Sequence, residues 1–365
     1  MRHPIHPALF MAFAVVLLLP SPLRAQTPGA SPVAANIHDR DVTFESAGLT
    51  LHGSLMGPTG ITTPGPGALI ISGSGPTDRN GNSPGLTTLN TNLNLAETLA
   101  AHGVTSLRYD KLGSGETGLD GITDLAAIDA SLFLQEAADA AAFLVSQSGV
   151  DPDRLILVGH SEGALFALQL AATLTANGTP PAALILVAPL SLRYLDLLQE
   201  QITTQLDQAV AGQLLTAEAA AATSAELTAI ITSLRATGAL PEQVTDPTLQ
   251  ALFNPANLAF LVEADTWNPA TIAAELPPAL PVLVLLGEKD SQVTVPQVET
   301  LMAGFTTGGN DNAALVLLPN ANHLLKVVPG TPNPASDYVD PSLPFDPAAV
   351  QAIADFVTRH QLASN

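Results

Sequence analysis

Hydrophobic and polar positions alternate with two periods along the chain, and this pattern predicts an α/β fold. Short, nearly uninterrupted apolar runs are typical of buried strands, whereas apolar residues spaced three and four apart are typical of helices. Predicted strands cover residues 42–44 and 49–56, which pair as a hairpin turning at 47–48, and then 68–72, 104–109, 155–158, 183–188, 282–286 and 315–318. Predicted helices cover residues 89–102, 124–145, 161–176 and 347–360. Because strands and helices follow one another in turn, we expect a mostly parallel sheet that helices cover on both faces.

One stretch, residues 190–275, departs from this rhythm. It shows no convincing strand pattern and is rich in Ala, Leu, Gln and Thr at helical spacing. We interpret it as a helical cap or lid inserted into an α/β core formed by residues 37–189 and 276–365. Its length favours a cap over the alternative, which is a set of crossover helices joined by long loops.

The N-terminal residues 1–25 have the pattern of a secretory signal peptide. Arg2 precedes an apolar run at 8–19, which Pro20 ends. This run is short for a membrane span, which favours a cleaved signal over the alternative of an uncleaved anchor. Residues 26–36, rich in Pro, Ala, Ser and Gly, are predicted to form a flexible linker. We therefore expect an exported protein, periplasmic or secreted, with no stable membrane anchor once the signal is removed.

Composition narrows the possible function classes. The 365-residue chain is 47% hydrophobic and 12% charged, which supports a large core and argues against disorder. Its formal net charge is −21, from 33 acidic and 12 basic residues, so its surface should repel nucleic acid and anionic membranes. The absence of cysteine excludes disulfides, thiolate metal sites and cysteine nucleophiles. We see no metal-ligand spacing of His, Asp and Glu and no phosphate-loop pattern, and we expect neither a metal nor another cofactor.

A Gly-His-Ser-Glu-Gly pentapeptide at residues 159–163 matches the pattern G-x-S-x-G. It follows the predicted strand at 155–158 and opens the predicted helix at 161–176, which is the context that the pattern requires. The sharp turn exposes the serine hydroxyl and needs glycine on either side, and the helix N-terminus favours developing negative charge. Ser161 is therefore the candidate nucleophile; the alternative is a glycine-rich turn with an inert serine.

The chain resembles the α/β-hydrolase superfamily of serine esterases, lipases and related peptidases over nearly all of its mature length. Three segments also resemble, in the same order, those of a subgroup of bacterial exported carboxylesterases. They are Gly-Ser-Gly-Pro-Thr-Asp-Arg-Asn-Gly-Asn at 73–82, Arg-Tyr-Asp-Lys-Leu-Gly-Ser-Gly at 108–115, and the pentapeptide at 159–163. The resemblance implies the α/β-hydrolase fold and hydrolysis of small-molecule carboxylic esters, often with short to medium acyl chains.

The general base should be a histidine, because the pKa of histidine lies near working pH. Of the eight histidines, two leave with the signal, two lie in the predicted hairpin region and two lie in predicted helices. His160 lies inside the pentapeptide, where we expect its side chain to point away from Ser161. This leaves His323, after the last predicted strand, where the family places its base; the alternative role of His323 is that of an ordinary loop residue.

The acid that orients this base should follow the preceding strand, at 282–286. Asp290 lies there in a Gly-Glu-Lys-Asp segment with Val293 beyond it, as the family pattern implies. Glu288 in the same segment is the rival candidate. A nucleophile, acid and base that follow one another in this order along the chain are what the fold leads us to expect.

An oxyanion hole needs two backbone N–H groups aimed at the position where negative charge develops. One should come from Glu162, the residue after the nucleophile. The other should come from Ser74, in the loop after the strand at 68–72, with Gly73 as the alternative donor.

Charged and polar residues near these loops have more than one possible role. Asp78, Arg79 and Asn80 either brace their own loop by hydrogen bonds or bind substrate, and we favour bracing. Arg108 and Asp110 are interpreted as a buried ion pair with a structural role, beneath the sharp turn at residues 159–163, which is called the elbow below.

The combined pattern predicts a serine hydrolase that cleaves carboxylic esters through an acyl-enzyme on Ser161. One alternative on the same triad is an aminopeptidase, for which Glu263 of the predicted cap is a candidate to hold a free amine. A thioesterase or acyltransferase is a second alternative. A third is a catalytically inactive binding protein of the same fold, which the presence of all three triad residues disfavours.

Overall fold

The computed structural model describes residues 37–60, 62–119 and 121–362. The predicted signal peptide at 1–25 and linker at 26–36 lie outside these ranges, and their roles stay predictions. The strands are β1 (Ile37–Ser46), β2 (Leu49–Pro58), β3 (Gly65–Ile71), β4 (Thr105–Tyr109), β5 (Val150–His160), β6 (Ala183–Val187), β7 (Val282–Gly287) and β8 (Ala313–Leu318). The helices are α1 (Thr91–Ala101), α2 (Ala130–Val145), α3 (Glu162–Ala176), α4 (Tyr194–Ala211), α5 (Ala217–Thr237), α6 (Pro247–Leu252), α7 (Pro255–Ala264), α8 (Pro269–Glu275), α9 (Val295–Thr307), α10 (Pro334–Asp337) and α11 (Pro347–Arg359).

These strands form an eight-stranded sheet in the order β1-β2-β4-β3-β5-β6-β7-β8. β1 and β2 pair as an antiparallel hairpin. Its turn residues, Ala47 and Gly48, have φ angles of 49° and 81°, the left-handed values that match the twist of a tight hairpin. β2 is antiparallel to β4, and the later pairs are parallel. The predicted fold class, a mostly parallel sheet in an α/β architecture, is confirmed.

The strand order reverses between β3 and β5. From β3 the chain passes to β4 on one side, then returns to β5 on the other side of β3. In parallel α/β sheets, ligands bind beyond the carboxyl ends of the strands at such a switch point. The loop at 73–82 follows β3 and the pentapeptide at 159–163 overlaps the end of β5, so the topology brings both segments to this position.

Helices cover both faces of the sheet. On one face, fully buried Leu99 of α1 and Ile353 of α11 pack in one apolar cluster with the strands. On the other face, Leu144 of α2, Leu168 of α3 and Leu301 of α9 belong to a larger cluster. A sheet buried on both sides needs nearly continuous apolar strands, which explains why the strands appear in the sequence as uninterrupted apolar runs.

The insertion between β6 and β7 is helical, and its ordered elements are α4 to α8. α4 packs against α5 and α7, whereas α8 packs against α3 and α9 in the layer over the sheet. Asp265 joins the first group, because its buried carboxylate accepts hydrogen bonds from Arg193, Arg235 and the N–H of Leu195. Within the ranges that the structure describes, no helix is long and apolar enough to cross a membrane.

Three helical features differ from the sequence prediction, among them the short helix α10, which lies outside every predicted helix. The predicted helix at 124–145 is a 3-10 turn at Leu125–Ala127 followed by α2. Asp129 interrupts it, because its backbone is extended and its carboxylate caps α2 by accepting the N–H of Leu132 at 3.1 Å. α9 is not among the predicted helices, although the capping box of Thr294 and Gln297 marks its start.

Candidate active site

Ser161 occupies a strained turn between β5 and α3. Its backbone angles are φ 56° and ψ −121°, a conformation that a non-glycine residue adopts only where the surroundings enforce it. Its N–H donates to the carbonyl oxygen of Val187 at 2.9 Å, and its carbonyl oxygen accepts from Ala164 and Leu190. These bonds to β6, to α3 and to the chain beyond β6 fix the turn in its strained conformation.

The two glycines of the pentapeptide are required by crowding at this turn. A Cβ atom on Gly159 would overlap the carbonyl oxygen of Gly163, and one on Gly163 would overlap the carbonyl oxygen of Ile71 at the end of β3. Both obstacles are backbone atoms, which cannot swing aside as the end of a side chain can. The sequence pattern G-x-S-x-G therefore has a direct steric cause here.

One predicted oxyanion donor, Glu162, belongs to the turn at 159–163, and the other, Ser74, belongs to the loop after β3. Glu162 is the first residue of α3, so its N–H has no partner within the helix. Gly73 approaches the nucleophile closely, since a Cβ built on it would lie 3.2 Å from the Cβ of Ser161. The backbone of Ser74, the residue after Gly73, therefore starts close to Ser161.

Asp290 and His323 form a buried pair. The Nδ1 atom of His323 lies 2.7 Å from Oδ2 of Asp290, and the side chains are 5% and 0% exposed. The other carboxylate oxygen of Asp290 accepts the N–H groups of Gln292 at 2.7 Å and Val293 at 3.0 Å. In a neutral imidazole, an Nδ1 that donates to this carboxylate leaves Nε2 as the nitrogen that can accept a proton.

The rival acid, Glu288, is exposed. The structure brings Asp290, and not Glu288, to His323.

His160 ties the base to the elbow. Its Nε2 lies 3.0 Å from the backbone oxygen of His323, and the two imidazole rings are 4.9 Å apart between centroids. A carbonyl oxygen only accepts, so Nε2 of His160 carries the proton. Burial, reinforced by the electrostatic effect of the neighbouring His323, lowers the pKa of His160 to about 3, so His160 is neutral at pH 7. This residue, adjacent to Ser161 in the chain, holds His323 against the end of β5.

The alpha/beta hydrolase family matches residues 70–358. The chain belongs to the alpha/beta hydrolase family. This match covers both the elbow and the Asp290–His323 pair. No curated protein is similar enough in sequence to match the chain.

Solved structures share this fold at low sequence identity. An esterase from Pyrococcus furiosus is 14% identical, with a TM-score of 0.54 over 93% of this chain and 96% of that one. A ferulic-acid-bound protein from Butyrivibrio proteoclasticus is 19% identical, with a TM-score of 0.52 over 88% and 99%. A dienelactone hydrolase-like promiscuous phosphotriesterase from metagenomic libraries is 17% identical, with a TM-score of 0.50 over 90% and 100%. At these identities the likeness shows the hydrolase fold.

Asp78 and Asn80, predicted to brace the loop after β3, make hydrogen bonds within it and to its neighbours. Asp78 Oδ1 accepts the N–H groups of Asn80 and Asn82 at 2.8 and 2.9 Å. The carbonyl oxygen of Asn80 accepts the N–H groups of Asn92 and Leu93 in the first turn of α1. These contacts fix the loop and the start of α1 together.

Arg79 is buried and joins this loop to the end of β4. Its side chain donates to Asp110 at 3.0 Å and to the carbonyl oxygen of Gly53 at 2.9 Å, and it also pairs with Glu116. Its backbone N–H donates to Asp110 as well, at 2.6 Å.

The predicted ion pair between Arg108 and Asp110 is wrong. Arg108 instead pairs with Asp39 at 2.9 Å, while Asp110 takes Arg79. The chain leaves β4 after Tyr109, so the alternation that would place residues 108 and 110 on one side of the strand ends between them.

The cap contacts the site from α4. Tyr194 donates its hydroxyl to the side chain of Glu162 at 2.6 Å, and Gln201 donates to the carbonyl oxygen of Gln292 at 2.9 Å. The helix α4 therefore contacts both Glu162, the residue after Ser161, and the loop that carries Asp290. Glu263, named above as a possible amine holder, accepts the N–H of Ser131 at 2.9 Å.

Sequence reasoning missed the roles of Lys111 and Tyr194. Lys111 donates to the carbonyl oxygen of Gly73 at 2.6 Å and to Glu162 at 3.2 Å. The available signal for Lys111 was its place in the second of the three resembling segments. Tyr194 lies in the cap, where helical spacing carries no information on which side chain reaches the elbow. Among the described residues, no His, Asp and Glu side chains cluster as metal ligands.

Proposed function

We propose that the protein is a serine carboxylesterase that hydrolyses small-molecule carboxylic esters through an acyl-enzyme on Ser161. The observation that carries the proposal is the strained backbone of Ser161, together with a histidine, His323, whose Nδ1 is held by Asp290 and whose backbone oxygen contacts His160, the neighbour of Ser161 in the chain. A serine hydroxyl is a weak nucleophile unless a neighbouring base accepts its proton. The elbow exposes the hydroxyl, and the Asp290–His323 pair supplies that base.

In the acylation step, Oγ of Ser161 attacks the ester carbonyl carbon and its proton passes to Nε2 of His323. The carbonyl oxygen becomes an oxyanion, which the N–H groups of Ser74 and Glu162 stabilise. The tetrahedral intermediate collapses, the bond to the alcohol oxygen breaks, and His323 returns its proton to the departing alcohol. Asp290 stabilises the imidazolium between these transfers without itself taking the proton.

Deacylation repeats these steps with water as the nucleophile. His323 accepts a proton from water, the resulting hydroxide equivalent attacks the acyl carbon, and the bond to Oγ of Ser161 breaks. The proton then returns to Oγ, and the carboxylic acid leaves. Water and ester are converted to alcohol and acid, and the enzyme is regenerated.

Esters are favoured over peptides as the substrate class. The segments at 73–82, 108–115 and 159–163 resemble those of carboxylesterases, and one solved structure with the same fold is named an esterase. Glu263, the candidate for binding a free amine, instead accepts a hydrogen bond from the backbone N–H of Ser131 at the start of α2. We propose short to medium acyl chains on the strength of the resemblance.

The test is hydrolysis of p-nitrophenyl acetate, butyrate, octanoate and palmitate, with an aminoacyl p-nitroanilide as the amide control. We expect turnover that falls with chain length and is reduced at least about 10³-fold in Ser161→Ala, with an unchanged circular dichroism spectrum. Full turnover in Ser161→Ala would overturn the serine mechanism. Turnover of the anilide alone would reassign the activity to a peptidase.

A further inference from the structure

Lys111 connects the three sequence segments that resemble those of carboxylesterases. Its Nζ donates to the carbonyl oxygen of Gly73 at 2.6 Å and to Oε1 of Glu162 at 3.2 Å. The other carboxylate oxygen of Glu162 accepts the hydroxyl of Tyr194 at 2.6 Å. The network therefore joins the loop after β3, the segment after β4, the start of α3 and the first residue of the cap helix α4.

The network is buried, which makes each of its bonds strong. Lys111 is 9% exposed, Glu162 5% and Tyr194 4%. A buried ammonium without a partner is costly, and a charge-assisted bond to a carbonyl or carboxylate offsets that cost. Nζ also lies over the ring of Phe133, 5.8 Å from its centroid. Two hydrogen bonds and this ring contact give the side chain a defined position.

Glu162 is the anion that pairs with this lysine. A second carboxyl group, that of Glu136, lies nearby and accepts the N–H of Leu112. Burial raises the pKa of Glu136 to about 8, so at pH 7 Glu136 is largely protonated.

The bond to Gly73 determines where the next N–H points. The peptide joining Gly73 to Ser74 is trans, and in a planar trans peptide the C=O and the N–H point in opposite directions. Fixing the carbonyl oxygen of Gly73 on Lys111 therefore fixes the N–H of Ser74 on the opposite side. The carbonyl oxygen of Ser74 is held as well, by Oγ1 of Thr77 at 2.7 Å.

We propose that Lys111 is a positioning residue of the oxyanion hole, which orients the N–H of Ser74 by holding the carbonyl oxygen of Gly73. The inference rests on the proposed esterase function and deepens it. Oxyanion stabilisation depends on donors that are oriented before charge develops. A donor that is free to rotate must be reoriented in the transition state, so losing Lys111 slows acylation and deacylation alike, since both pass through an oxyanion, and leaves ground-state binding of the ester nearly unchanged.

The test compares Lys111→Met with the natural protein on p-nitrophenyl butyrate, using active-site titration to count competent enzyme. Methionine keeps the unbranched stem and removes the ammonium. We expect kcat per titrated site to fall about 10- to 100-fold with KM within about threefold, which is less than the loss of a whole oxyanion donor. Lys111→Arg, which keeps a charged donor, should recover most of the rate.

A transition-state analogue separates positioning from a merely structural role. A trifluoromethyl ketone with a butyl chain forms a hemiketal oxyanion on Ser161 and needs the same N–H groups. We expect its inhibition constant to rise by the factor by which kcat/KM falls, while that of the matching methyl ketone, which forms little hemiketal, changes less than threefold. A fall in melting temperature with kcat and both inhibition constants unchanged would overturn the proposal.

Lys326→Met is the matched control. Lys326 is also buried and also donates to a backbone carbonyl, that of Thr88 at 2.8 Å, but this carbonyl is outside the oxyanion loop. We expect Lys326→Met to lower thermal stability and to keep kcat per titrated site within about threefold. An equal loss of kcat in both variants would contradict a specific role for Lys111.

Two further results keep the inference distinguishable from others. If Lys111→Met does not fold, Lys111→Gln takes its place: its kcat/KM must fall and its trifluoromethyl ketone inhibition constant must rise by the same factor, and no change in either would overturn the proposal. If Ser161→Ala is inactive and Lys111→Met is as active as the natural protein, the esterase function stands and the positioning role falls. If Ser161→Ala remains active, the proposed function itself fails.

Discussion

At the scale of single residues, backbone hydrogen bonds fix the orientation of the Asp290 carboxylate. Oδ1 of Asp290 is taken by the N–H groups of Gln292 and Val293, which leaves Oδ2 for His323. The carboxylate therefore has one orientation, and the imidazole follows it. The rival Glu288 lies in the same turn, and only the direction of each side chain separates the two, which spacing along the chain does not encode.

Asp290→Asn is expected to lower kcat by about 10³- to 10⁴-fold on p-nitrophenyl butyrate. An amide nitrogen facing His323 reverses the donor pattern and favours the wrong tautomer of the base. The measurement is steady-state hydrolysis normalised to folded protein. The exposed neighbour provides the control: Glu288→Gln should hydrolyse the ester at the natural rate, and the reverse ranking of the two variants would assign the acid to Glu288.

At the scale of elements, the strained turn at Ser161 depends on the contact between the ends of β3 and β5 and the start of α3. Ser161 takes its strained angles because α3 starts directly at the end of β5, with Gly163 against the carbonyl of Ile71. Strain at one residue is retained only when the surrounding elements determine it.

Gly163→Ala is expected to destabilise the protein by at least about 2 kcal/mol and to lower activity with it. The added methyl group meets backbone of β3, so the strand or the helix must move. Chemical unfolding measures the free-energy change, and ester turnover reports the displaced serine. In the control Gly212→Ala, the added atom lies 3.2 Å from the carbonyl oxygen of Gln208 at the end of α4, and φ is −78°. Equal destabilisation by the two substitutions would contradict the crowding argument.

The elements themselves are largely predictable from the hydrophobic pattern. Buried parallel strands such as β3 and β6 are apolar throughout, and their positions agree with the sequence prediction. The helix predicted at 124–145 fails at its start because helical spacing continues through Asp129, whose side chain prefers to cap.

The site is predictable only in part. The two glycines of the pentapeptide have a steric cause, which is why the sequence predicts the sharp turn at Ser161. The partners of Arg79, Arg108 and Lys111 depend on contacts between distant segments, and a sequence gives no distance between segments.

At the scale of the whole molecule, four of the few basic residues are buried and make internal contacts. Arg79, Arg108, Lys111 and Lys326 are each less than 10% exposed, although the chain has only 12 Lys and Arg residues against 33 acidic ones. Five acidic side chains are buried as well, namely Asp110, Glu136, Glu162, Asp265 and Asp346, so burial leaves the strongly acidic balance of the chain in place. An acidic surface disfavours anionic partners and is compatible with a neutral ester as substrate.

The helical insertion between β6 and β7 contacts the candidate active site at two points of α4. Tyr194 donates a hydrogen bond to Glu162, the residue after Ser161, and Gln201 donates one to the carbonyl oxygen of Gln292 in the loop of Asp290. Residues of this insertion therefore contribute to the geometry of the candidate site.

The central claim is that an acyl group passes through Ser161, and direct detection of that intermediate tests it. The measurement is acid-quenched intact-protein mass during turnover of p-nitrophenyl pivalate, an ester chosen because its bulky acyl group deacylates slowly, followed by peptide mapping. We predict a single added acyl group on the peptide that contains Ser161, and none in Ser161→Ala. Turnover that continues with no adduct in the natural protein, or an adduct mapped to another residue, would contradict the account.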